Sequence, residues 1–237
     1  MIQLSKRLQA IADLVPHTEV VADVGTDHAY LPIFLIQAQI CKKVLALDIN
    51  KGPLQTASTN IHRYHCSNMI ETRLSDGLSS VTEDEVDGVI FAGMGGELMQ
   101  RLLTQSQELV QKLDWCIVQP QSQIEKFRRY LIQEGYSIVK EDIVCEDDIY
   151  YPILMFQSIP TDQLWKTVEY RYGKDLLENK HPVLYRLLKR EIQGKERIIQ
   201  HLSQKKTDVT HRISTLQEEI QIAQEGLMYY ESERIST

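Results

Sequence analysis

The sequence predicts a doubly wound α/β domain with a mostly parallel sheet, followed by an α-helical coiled-coil hairpin. Three observations carry this. Apolar runs rich in Val and Ile alternate with segments of helical period as far as Gln157. The first run, Val20-Val21-Ala22-Asp23-Val24, breaks at Gly25 and passes into Ile33-Phe34-Leu35-Ile36. That is the strand, turn and helix that open such a domain, with ligands expected at the carboxyl end of the strand. Beyond Pro160 the pattern turns helical, and from Val209 the apolar positions Ile213, Leu216, Ile220, Ala223, Leu227 and Tyr230 follow in steps of four and three. Residues 1–160 and 161–237 are therefore expected to be separate domains.

Taken in order, Ile2 to Val15 reads as an amphipathic helix with Leu4, Leu8, Ile11 and Val15 on one face and Lys6 and Arg7 turned away. Pro16 ends it and the first strand follows. A second strand, Val44 to Leu47, ends at Asp48, 23 residues after Gly25 and near the spacing of a carboxylate that binds ribose hydroxyls. A helix from Pro53 to Tyr64 leads to a third strand, Ile70 to Leu74, closed by Ser75-Asp76-Gly77-Leu78. A carboxylate there suits an adenine amino group. The fourth strand, Asp87 to Ala92, runs into Gly93-Met94-Gly95-Gly96 and a helix from Glu97. Three glycines in four residues imply positive φ or close backbone approach. A fifth strand, Trp115 to Val118, ends in Gln119-Pro120-Gln121. A helix from Ile124 to Glu134 and strands at Tyr136–Val144 and Tyr151–Gln157 complete the domain. In the second domain Leu184, Leu187, Leu188, Ile192, Ile198, Ile199 and Leu202 form the first arm, and Lys205 to Asp208 can supply the turn and cap. A parallel dimeric coiled coil is the alternative.

The turn after the first strand constrains the ligand. A dinucleotide site needs further glycines where this chain has Asp27 and Tyr30. A carboxylate there repels a pyrophosphate. S-adenosylmethionine has no phosphate but carries an ammonium and a sulfonium, which suit Asp23 and Asp27. Helix capping by the same residues is the competing explanation.

Composition adds bounds. No apolar run approaches the ~20 residues of a membrane span, the N-terminus lacks a signal-peptide core, and the four cysteines form no CxxC pair. A cytoplasmic protein with reduced thiols is expected. The net charge of −7 is unevenly placed. Residues 1–161 hold 13 basic and 21 acidic residues, whereas Arg186 to Arg212 holds eight basic against three acidic. That segment is either a solvated helix face or a polyanion contact. His62, His65 and Cys66 have metal-like spacing without a fourth ligand, so no metal is expected. Lys126, Arg128 and Arg129 read equally as helix surface or phosphate contacts.

The segments GTDHAYLP, LALDIN, LSDGL, FAGMGGELM and VQPQ, in this order, resemble the TrmK-type bacterial tRNA (adenine-22-N1)-methyltransferases along essentially the whole chain. The resemblance implies a class I methyltransferase (Rossmann-like) fold, S-adenosylmethionine as donor and methylation of N1 of an adenine in the tRNA elbow. It puts Gly25, Asp27, His28, Asp48, Asp76, Gly77, Leu78, Gly93, Met94 and Gly95 at cofactor-facing motif positions. Gln121 stands where the family has Asn. Chemistry points the same way, because Ala92-Gly93-Met94-Gly95 replaces the Asn/Asp-Pro-Pro-aromatic loop of enzymes that methylate exocyclic amines. Adenine N1 is already nucleophilic and needs orientation more than activation. Asp27 is the first catalytic candidate, stabilising developing positive charge, with Tyr30 stacking or orienting the base. Substrate contacts are expected from Arg7, Gln119, Arg186, Arg190 and Arg197, and a monomer is expected, with a dimer as the alternative. Two other readings compete: a non-catalytic nucleotide-binding domain with a docking arm, and a methyltransferase acting on another RNA or a small molecule.

Overall fold

The computed structural model describes residues 1–160, 164–204 and 209–231. The chain divides into two compact units, Met1–Asp162 and Gln163–Thr237. The turn expected at 205–208 lies outside the described residues.

In the first unit, α1 (Lys6–Leu14) begins later than its apolar period suggests, because the Ser5 hydroxyl accepts from the Leu8 amide and caps it there. Strands β1 (Val20–Val24), β2 (Lys43–Asp48), β3 (Ile70–Leu74), β4 (Gly88–Met94) and β5 (Trp115–Pro120) are parallel. Helices α2 (Tyr30–Gln37), α3 (Lys51–Arg63), α4 (Gly96–Gln105), α5 (Gln107–Val110) and α6 (Ile124–Gln133) connect them. β6 (Ser137–Glu146) and β7 (Ile149–Gln157) close the sheet in the order β3-β2-β1-β4-β5-β7-β6. β7 inserts antiparallel between β5 and β6. Asp147 and Asp148 both have positive φ, as the two-residue turn that joins β6 to β7 requires.

The reversal of strand order between β1 and β4 opens a crevice at their carboxyl ends. Val21, Val44, Ala46, Ile90 and Ile117 pack in the core on one side of the sheet, with α1 and α2; Ala22, Leu45, Leu47, Val89, Phe91 and Val118 pack with Met99, Leu102 and Phe127 on the other. Gly88 is required where it stands, since a Cβ there would run into the Trp115 indole. β4 extends two residues past the expected Ala92, through Gly93 with φ +76°, and the pairing with β5 shifts register there.

Two ambiguous readings resolve. Arg128 is buried and paired with equally buried Glu141 at 2.8 Å, so it is neither helix surface nor a phosphate contact. Arg129 pairs with Glu125 on the preceding turn. The His62, His65, Cys66 spacing presumes a helix that in fact ends at Arg63. His65 has φ +58° and the Cys66 thiol is buried, donating to the Tyr64 carbonyl.

In the second unit, α9 (Pro182–Leu202) and α10 (Thr210–Glu231) form the antiparallel hairpin. The start of α9 meets the end of α10: Tyr230 donates to the His181 carbonyl at 2.9 Å, and the Tyr185 and Tyr230 rings lie 5.1 Å apart. The hairpin does not stand alone, because two short helices, α7 (Thr167–Tyr172) and α8 (Lys174–Glu178), pack on α10. They draw the fully buried positions of α10 to Leu216, Ala223 and Gly226, while Ile213, Ile220, Leu227 and Tyr230 stay half-buried. Gly226 was not an expected seam position; its missing side chain admits Leu188 and Leu177. Ile198, expected on the apolar arm, is 45% exposed.

Candidate functional site

The crevice holds a cavity of about 300 Å³ lined by Arg7, Asp23, Gly25, Asp27, His28, Tyr30 and Gly93, all expected site residues, and by Thr26, Ala29 and Gln121, which were not. Its floor is shaped by the β1 turn. The Gly25 and Thr26 amides both donate to the Leu47 carbonyl, which carries the chain across the end of β2 with Gly25 at φ +80°.

Asp23, at 6% exposure, is the buried acid of the site. Burial is the main cause that pushes its carboxyl up to about 6, and repulsion from Asp48 adds to it. The Thr26 hydroxyl is close enough to offset part of the rise without forming a well-made hydrogen bond. A carboxylate so placed gains from a cation in the cavity.

Asp27 and His28 stand at the mouth. His28 Nε2 lies 3.1 Å from Asp27 Oδ2, and the His28 and Tyr30 rings stack 5.3 Å apart at 15°. The loop is held from below: buried Asn60 donates to the His28 carbonyl at 3.0 Å, and Ala29 takes a left-handed conformation, φ +55°, to start α2. Tyr30 thus presents a 40% exposed ring beside the carboxylate of Asp27.

The remaining cofactor candidates lie at the neighbouring strand ends, outside this cavity. Asp48 is half-buried and accepts from the Asn50 amide at 2.7 Å. Next to it Ile49, unremarked in the sequence, is 57% exposed. Asp76 stands 3.6 Å from Arg101. Gly77, φ +59°, packs against Leu102. Leu78 is only 2% exposed, its side chain in the core with Met99 and Leu102, so it offers a ligand backbone rather than side chain. The Met94 side chain rests against Gly25. Gly95 caps α4, but Gly96 is the residue with no room for a Cβ, which would strike the Ser122 carbonyl.

Arg7 reaches the cavity from α1. Its Nη1 donates to Gln119 Oε1 at 3.0 Å and its guanidinium lies over the Tyr151 ring at 5.7 Å. Gln119, expected to touch substrate, is wholly buried and cannot. Its Nε2 donates to the Pro120 carbonyl and its Oε1 is given to Arg7. Gln121, two residues on, lines the cavity instead.

In the second unit Arg186, Lys189, Arg190 and Arg197 are exposed on α9. Spacings of four and seven put the three arginines within about 40° of one another around the helix. Lys195 belongs to the interior of the unit: it pairs with Glu191 at 2.7 Å and Glu219 at 3.4 Å.

Residues 4–154 match the methyltransferase domain family. The chain is 29% identical over 207 residues to the tRNA (adenine(22)-N(1))-methyltransferase of Bacillus subtilis (strain 168), covering 86% of this chain and 87% of that protein. The crystal structure of the B. subtilis M1A22 tRNA methyltransferase TrmK superposes with a TM-score of 0.81 at 28% identity, over 96% of this chain and all of the other. M. capricolum TrmK, solved with its cofactor product S-adenosyl-homocysteine, gives 0.82 at 28% identity over 96% and 99% of the two chains. The likeness runs along nearly the whole chain, through both of its units, and the chain belongs to the methyltransferase domain family, in its TrmK-type tRNA (adenine(22)-N(1))-methyltransferase branch.

Proposed function

We propose that this chain transfers the methyl group of S-adenosylmethionine to N1 of adenine 22 in tRNA. The observation that carries this is the buried Asp23 carboxylate in a cavity whose loop also carries Asp27. Such a site fits a cationic, phosphate-free donor and disfavours a dinucleotide. A non-catalytic nucleotide-binding role fits it less well for the same reason.

The donor supplies a methyl group made electrophilic by its sulfonium. Asp23 and the turn at Gly25 would hold its amino-acid end. Asp48 would accept from the ribose hydroxyls, and Asp76 from the adenine amino group, with Ile49 giving the ring an apolar wall. Gly93 to Gly95 would let the backbone approach closely. Tyr30 would stack on the target base and orient its N1 lone pair toward the methyl group, which supplies much of the rate. Asp27 would stabilise the positive charge that spreads over the adenine as N1 is methylated and that the 1-methyladenine product keeps. N1 lies on the pairing edge, so the base must leave any pair it makes.

The exposed arginines of α9 would contact tRNA phosphates, adding the positive charge that the first unit lacks. Since α9 and α10 cover each other within one chain, a monomer suffices. Among the described residues no helix is long and apolar enough to cross a membrane, and a tRNA substrate supports a cytoplasmic enzyme.

Incubation of unmodified tRNA with the protein and isotopically labelled donor, followed by nucleoside mass spectrometry and mapping, is expected to yield labelled 1-methyladenosine at position 22. Label in N6-methyladenosine, or none at all, refutes the proposal.

A further inference from the structure

The cavity keeps its opposite charges apart. Asp23 and Asp27 line it from the end of β1 and the following loop, and Arg7 lines it from α1. Among the described residues no carboxylate pairs with Arg7; its polar partner is the neutral amide of Gln119. That bond uses one of the five N–H donors of a guanidinium and leaves others for a ligand. Gln119, for its part, is wholly buried, and Arg7 satisfies its carbonyl. A buried acceptor without a donor is costly, so Gln119 holds the guanidinium in one place. Tyr151 supports it from β7.

A second donor converges on the same spot. Arg7 Nη1 and Gln121 Nε2 lie 3.5 and 3.6 Å from the point where a Cβ on Gly93 would sit. Because Gly93 has no side chain, that space between two N–H donors stays open. It is a place for an anion, in a cavity whose other side takes a cation.

We infer that Arg7 receives the carboxylate of the donor's amino-acid end, opposite the ammonium held by Asp23, and that Gln119 is the positioning residue for Arg7. The inference rests on the S-adenosylmethionine reading. A zwitterion satisfies both sides of the cavity at once. An RNA phosphate at Arg7 would bring a further anion toward Asp23 and Asp27 without the ammonium that a zwitterion carries to meet them.

The test is calorimetry of the full chain with two probes: S-adenosylhomocysteine and its decarboxylated analogue, S-adenosyl-3-thiopropylamine. Arg7→Met is expected to weaken S-adenosylhomocysteine binding by roughly 10- to 100-fold, the scale of a hydrogen bond between charged groups, and to leave the analogue nearly unchanged. Gln119→Glu keeps the size of the side chain but pairs with the guanidinium. It is expected to lower the preference for the carboxylated ligand in the same direction, and it decides the matter if Arg7→Met does not fold. Equal weakening toward both ligands assigns Arg7 to packing and overturns the inference. So does a drop in tRNA affinity with S-adenosylhomocysteine affinity unchanged, which makes Arg7 a phosphate contact. If the unaltered protein binds neither probe, the donor assignment itself falls, a result distinct from the others.

Discussion

The terminal methyl of Met94 crowds the point where a Cβ on Gly25 would lie. The turns after β1 and β4 thus meet at the far end of one flexible side chain, which can yield at small cost. Gly25→Ala meets two obstacles, this contact and φ +80°. It is expected to cost about 1–3 kcal/mol, read as a lowered melting temperature, together with weaker S-adenosylhomocysteine binding. Adding Met94→Ala relieves only the contact. Full recovery in the double variant would show that the backbone conformation carries no cost.

Asp23 makes donor binding and stability depend on pH with opposite signs. Its carboxyl rises from 3.8 to about 6 in the free protein, so the folded state binds a proton more tightly than the unfolded one. Stability from this group is therefore present below pH 4 and lost as pH rises to 6, by about 3 kcal/mol in all. A cationic donor needs the ionised form, so its affinity is expected to rise about tenfold from pH 5 to pH 7. Asp23→Asn should flatten both profiles. Calorimetric titrations showing an unchanged slope in that variant would remove Asp23 from the donor site.

Asp48→Ala is expected to weaken donor binding by about 1.5–3 kcal/mol, the worth of a hydrogen bond to a charged group. It should also relax Asp23, whose carboxyl Asp48 helps to raise. Unchanged affinity in a folded variant would free Asp48 of a ribose role.

Asp27→Ala tests catalysis apart from binding. Single-turnover rates at saturating donor and tRNA are expected to fall by about 10-fold or more, with tRNA affinity nearly kept. A normal rate under those conditions would leave Asp27 as a loop residue only.

Arg186→Ala, Arg190→Ala and Arg197→Ala together are expected to weaken tRNA binding and to flatten its salt dependence. The logarithmic slope should fall by roughly 0.7–0.9 for each phosphate that an arginine no longer neutralises. S-adenosylhomocysteine binding should not change. An identical salt slope for the triple variant would mean that these arginines only decorate the helix.

Much of the site was legible because short apolar strands end abruptly. Asp23, Asp27, Asp48 and Asp76 could be picked out from their places at or just past the ends of β1, β2 and β3 without knowing how those strands pair. Gln119 was misjudged for the same reason that it was noticed: a polar residue at a strand end suggests a ligand contact, but here it is buried and held by a residue 112 positions away. Arg128 was ambiguous because its partner, Glu141, sits on another element. The helices α7 and α8 were overlooked because each spans six residues or fewer and turns at Gly173, too short for a period to register.

Local preference and periodicity, read from the sequence by itself, determined the alternation of strands and helices, the turn glycines, the acidic strand ends and the apolar stripes of the two helical arms. These depend on neighbours within a few positions, and residue type carries that information directly. Tertiary structure alone decided the insertion of β7 between β5 and β6, the closure of the Met94 side chain over Gly25, the burial that raises Asp23 and the meeting of Arg7 with Gln119. Each depends on desolvation or contact between residues far apart in the chain, and those energies exist only once the sheet has brought the partners together.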